Sequence, residues 1–130
     1  MMTLAVNFAP LTDARAMDLD DRINQSVGEA IGRGLDDIAD EARANVAELR
    51  NADLPASSPL MASIGTGMAE DGLSGAVHAG GNIAPYAVFV EFGALRSPAQ
   101  PFLSPALAAH ERRVRDDIAA ALESALGERA

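Results

Sequence analysis

The chain contains no cysteine, no tryptophan and no lysine, and aromatic residues make up only 4% of it. Without cysteine it has neither a disulfide nor a thiolate metal site. The missing lysine fits a GC-rich coding sequence. All ten basic residues are arginine, and they face 19 acidic residues for a net charge of −9. Gripping a phosphate backbone relies on cationic neutralisation, so this composition points away from a nucleic-acid binder. An acidic wall, by contrast, repels a polyanion and lets it slide past. No apolar run approaches a membrane span, and the N-terminus lacks the basic-then-apolar layout of a signal peptide. The expectation is a soluble protein made in the cytoplasm. Catalytic groups are as scarce. His78 and His110 are the two histidines, and neither has a second histidine or a carboxylate at metal-ligand spacing on one face. His110 and its neighbour Glu111 diverge on a helix, and His78 alternates to the surface of a predicted strand. Gly65-Thr66-Gly67 and Gly80-Gly81 lack the Lys-Ser/Thr of a phosphate loop, and the serines have no placed base. The sequence points to no enzyme, no cofactor and no metal.

With 130 residues there is room for one domain with one core. Hydrophobic residues make up 48%, but alanine and glycine dilute the large side chains, so further burial against copies of itself would help such a chain. The large apolar groups converge on Tyr86 to Leu107. Three of the four phenylalanines (Phe89, Phe92, Phe102), the single tyrosine (Tyr86) and three of the seven prolines (Pro98, Pro101, Pro105) fall there. Tyr86, Phe89, Phe92, Phe102 and Leu103 are the expected core anchors, with Phe92 and Phe102 bracketing an exposed loop from Ala94 to Ala99. Gly93 stands where a short helical turn wants a residue that tolerates positive φ. Ser104 and Pro105 read as the cap and first position of a closing helix. Glu91, lodged between Val90 and Phe92, must be hydrogen-bonded, ion-paired or turned to water. The candidates are backbone N–H groups of the Gly93-to-Ser97 loop, Arg96, or an arginine of the Arg112-to-Arg115 cluster from the same or a neighbouring subunit.

Elsewhere, Thr3 to Ala9 alternates like a half-buried strand. From about Asp13 to Asn51, Leu19, Ile23, Val27, Ile31, Leu35, Ile38, Ala42, Val46 and Leu49 recur at spacings of three and four, the stripe of an amphipathic helix. Gly28, Gly32 and Gly34 weaken its middle by ~1 kcal/mol each relative to alanine, which predicts a kink or a closely packed neighbour. Asn51 to Pro59 reads as loop. Leu60–Thr66 and Leu73–Ala79 read as a hairpin turning at Glu70-Asp71-Gly72, and a last helix runs from Pro105 to about Gly127. The fold class that follows is α+β: a small antiparallel sheet packed by a long N-terminal helix and a C-terminal helix.

Tyr86-Ala87, then Val90-Glu91-Phe92-Gly93, a variable loop, Gln100-Pro101-Phe102-Leu103 and Pro105-Ala106-Leu107 together resemble the neck or tail-completion (head–tail joining) family of long-tailed double-stranded DNA phages. The close resemblance covers roughly a fifth of the 130 residues. Upstream, where the family shows Thr-Gly-x-Leu-x-x-Ser-Ile, this chain has Ser58-Pro59 followed by Leu60 and Ser63-Ile64, and Ala94 replaces the commoner Thr. The resemblance implies a single head–tail joining domain over residues 1–130, located in the virion neck. It would be a homo-oligomeric ring, expected to be sixfold, between head connector and tail tube, with duplex DNA passing through unbound. Glu91, Arg96, Ser97, Arg112, Arg113 and Arg115 are the candidate contacts with neighbouring subunits or rings. The alternatives are a tail terminator ring capping the tube and, in another class, a small acidic non-viral binding or chaperone-like protein.

Overall fold

A computed structural model describes residues 2–7, 21–49, 59–95 and 98–127. The elements run β1 (Met2–Asn7), α1 (Asp21–Ala47), α2 (Pro59–Ala62), β2 (Gly65–Met68), β3 (Ser74–Ala79), α3 (Ala87–Phe92) and α4 (Leu103–Gly127). The architecture is α+β: two long helices packed along each other, with a small antiparallel sheet against α1.

The periodic stripe forms α1 because its apolar positions return to one face every three or four residues. Ile23, Val27, Ile31, Leu35, Ile38, Ala42 and Val46 are all buried. Leu19 and the expected helical flanks before Asp21 and beyond Leu49 lie outside the described residues. The glycines do not interrupt the helix; two of them answer close neighbours within the same chain. A Cβ on Gly34 would overlap the methyl groups of Val114 in α4, one on Gly28 would meet the carbonyl of Gly72 at 3.2 Å, and one on Gly32 would meet nothing within 4 Å. Gly34 therefore sets how closely α1 and α4 approach. Replacing Gly32 by Ala should gain ~0.5–1 kcal/mol of helix propensity. The same change at Gly34 should cost a net ~1–2 kcal/mol, because overpacking against a buried β-branched side chain outweighs that gain. Urea midpoints of the two variants check this, and a Gly34→Ala protein as stable as Gly32→Ala would sink the close-approach argument.

The sheet has the order β1-β3-β2. β1 runs antiparallel to β3 from Met2↔Ala79 to Asn7↔Ser74, and β2 pairs with β3 from Gly65↔His78 to Met68↔Gly75. The first strand thus covers Met2–Asn7, while Phe8 and Ala9 lie outside the described residues. The expected hairpin is corrected at its first arm. Leu60 belongs to the short helical turn α2, and the strand begins only at Gly65. Pro59 favours that turn by fixing φ, and Leu60 points inward with no exposure. Ser63 then secures the exit: its hydroxyl donates to the Leu60 carbonyl at 2.7 Å and accepts from the Gly80 N–H at 2.9 Å. The turn chemistry is as read, with the Asp71 side chain accepting from the Leu73 N–H at 2.9 Å. His78 is half-buried rather than on the surface, with its ring over Gly65.

Candidate functional site

The Tyr86–Leu107 stretch folds as one unit built on Glu91. α3 ends at Gly93, which adopts φ 86° and donates its N–H to the Phe89 carbonyl at 2.9 Å. Within α3, Ala87 and Glu91 point inward at 1% and 2% exposure, and Val90 packs beside them. The Glu91 carboxylate meets the start of α4. Its Oε2 accepts from the Phe102 N–H at 2.7 Å; its Oε1 accepts from the N–H groups of Leu103 and Ser104 at 3.2 and 2.7 Å and from the Ser104 hydroxyl at 2.9 Å. The first N–H groups of a helix have no partner inside it, and the helix dipole favours an anion there. Glu91 therefore does for α4 what a cap residue does locally. The connecting segment is tied twice more: Gln100 donates its N–H to the Val90 carbonyl at 2.8 Å, and Asn45 of α1 donates from Nδ2 to the Phe102 carbonyl at 3.0 Å.

This geometry corrects several expectations. Glu91 accepts backbone hydrogen bonds, as one expectation had it, and the donors are at the α4 N-terminus; its burial removes it from the candidate subunit contacts. The cap of α4 is Glu91 rather than Ser104, and the helix starts at Leu103, two residues before Pro105. Phe102 and Leu103 are buried as expected, whereas Phe89 and Phe92 are 58% and 64% exposed and Tyr86 is 37% exposed. The physical reason is the phase of α3. Residues 87, 90 and 91 share one face at helical spacing, and carrying Glu91 to the α4 N-terminus turns 88, 89 and 92 outward. Leu95, in the exposed loop, is wholly in solvent. Arg96 and Ser97 lie outside the described residues.

Arg113 and Arg115 have acidic partners within the chain. Arg113 bonds Asp37 of α1 at 2.8 Å and Asp117 at 3.3 Å, and Arg115 bonds Glu111 at 3.0 Å. The hydrogen bond to Asp37 holds the Arg113 guanidinium above its ordinary value. Such half-exposed pairs are screened by solvent and add little to stability. Arg112 is exposed. Nearby, Asp37, Asp40, Glu41 and His110 line an open cleft between α1 and α4. There His110 Nε2 lies 3.5 Å from Glu41, and Nδ1 lies 3.0 Å from an Arg113 nitrogen. Among the described residues no group of three or more His, Asp or Glu side chains could hold a metal ion, and no helix is long and apolar enough to cross a membrane.

The sequence reading misses Asn45 and gives Ser104 a different partner. Asn45 carries a signal of a kind, an amide beside an apolar stripe; the Ser104 hydroxyl was read only as a local cap. Compared with family models, with curated proteins and with solved structures, the chain matches none.

Proposed function

We propose that this chain is a structural subunit of the neck of a long-tailed double-stranded DNA phage, one of a ring of copies between head connector and tail tube. The observation that carries the reading is how the Tyr86–Leu107 unit is built. A buried carboxylate fastens a short helix to the start of a long one, and the helix turns its aromatic side chains to water. Exposed apolar patches mark contact surfaces, and this one coincides with the stretch that resembles the neck family.

Sedimentation of the purified protein tests the reading. The expected result is a ring-sized homo-oligomer, six copies being the first expectation. A monomer at every concentration would overturn it in favour of a small acidic binding protein. The net charge of −9 adds a second expectation, that the protein does not bind duplex DNA. Repulsion from an acidic wall reaches only about a Debye length, ~8 Å at physiological salt, so it discourages sticking without barring passage. Submicromolar, salt-sensitive binding in a low-salt gel shift would contradict the conduit role.

A further inference from the structure

We infer that the outward face of α3 together with Leu95, led by Phe89 and Phe92, is the surface that a neighbouring copy of this chain covers. The inference rests on the ring reading above and names the contact within it. Three observations converge. The face is apolar and exposed, at 58%, 64% and 101% for these three residues. It is also held in place before any partner arrives, by the Glu91 bonds to α4 and the bond between Gln100 and Val90, so little ordering entropy opposes docking.

The third observation is charge, and it selects the occupant. Two copies at net −9 repel each other wherever carboxylates oppose. Between Asp71 and Glu111 the sequence holds only two formally charged residues, Glu91 and Arg96, and Glu91 is buried. Every other acidic residue lies outside that stretch; Glu29, Asp36 and Asp40 stand exposed on α1, and Asp116, Asp117 and Glu123 on α4. A cationic partner would settle on those helices. No described residue between 72 and 110 presents an exposed carboxylate, and α3 lies in that stretch, so an equally acidic second copy meets least repulsion from it. In a ring of more than two copies the contact is head-to-tail, so this face meets a different surface of the next subunit.

Because the chain has no cysteine, an introduced thiol reports cleanly. Leu95→Cys is placed in the proposed contact and Ala44→Cys on the exposed side of α1, and each is labelled with a maleimide. The labelling is done in the otherwise wild-type protein and in a Phe89→Ser/Phe92→Ser background. The double variant should sediment as a monomer with unchanged circular dichroism and melting. The Leu95→Cys thiol should be protected several-fold in the assembled protein and lose that protection in the double variant, while Ala44→Cys reacts alike in both. A double variant that still forms the full oligomer, with Leu95→Cys unprotected, would overturn this contact and leave the ring reading standing. Wild-type protein that stays monomeric in the same runs would overturn the ring reading, and this inference with it.

Discussion

A protein in which Glu91 is replaced by Ala should lose ~3–5 kcal/mol of stability, or about 10–20 °C in melting temperature for a domain of this size. The carboxylate is 2% exposed and accepts from three backbone N–H groups and one hydroxyl. Burying a carboxylate is costly, so its presence there depends on those charge-assisted bonds and on the positive end of α4. Removing it strands donors that the helix cannot satisfy, each at ~1–3 kcal/mol, with entering water recovering part. The isosteric Glu91→Gln separates charge from shape. It keeps one acceptor oxygen but turns an amide N–H₂ toward donors, and about half or more of the loss should remain. Amide exchange localises the effect: protection at Phe102, Leu103 and Ser104 should fall ahead of protection in the middle of α1. A Glu91→Gln protein melting within about 2 °C of wild type would remove Glu91 from this role.

The parts legible in the sequence are those whose cause is local. α1 could be read because charged residues separate its apolar positions at helical spacing, and the turn at Asp71 because its side chain bonds a backbone N–H two residues on. The body and far end of α4 could be read for the same reason as α1. The first hairpin arm failed because a short apolar run such as Leu60-Met61-Ala62 suits a helical turn or a strand equally. There the deciding contacts are buried packing of Leu60 and a Ser63 bond seventeen positions away. The phase of α3 was illegible because both its faces are apolar over fewer than two turns. What fixes it is the reach of Glu91 to amides eleven to thirteen residues later. Likewise Arg113 meets Asp37 across a separation of 76 residues, which no spacing rule anticipates. Sequence reading placed the right residues in one unit and turned the helix between them the wrong way round.

That rotation sets up the sharpest contrast between two side chains of the same type. Phe102→Ala should cost ~3–5 kcal/mol, while Phe92→Ala, measured on the monomer, should stay within about 0.5 kcal/mol of wild type. Phe102 is wholly buried, and its backbone is tied on both sides, its N–H to Glu91 and its carbonyl to Asn45. A segment held that way cannot collapse into the space a missing ring leaves, so the cost belongs at the upper end of the range. Phe92 is 64% exposed at the end of α3. Truncating it removes little buried area, and alanine is the better helix former. Urea unfolding of both variants at concentrations where neither self-associates gives the comparison directly. Equal losses would mean that Phe92 is a core residue and that α3 presents a different face. A near-native Phe102→Ala protein would remove the anchor on which the start of α4 depends. With the contrast as stated, Phe92→Ala should show its effect only in assembly, through weaker self-association of a chain that folds as well as before.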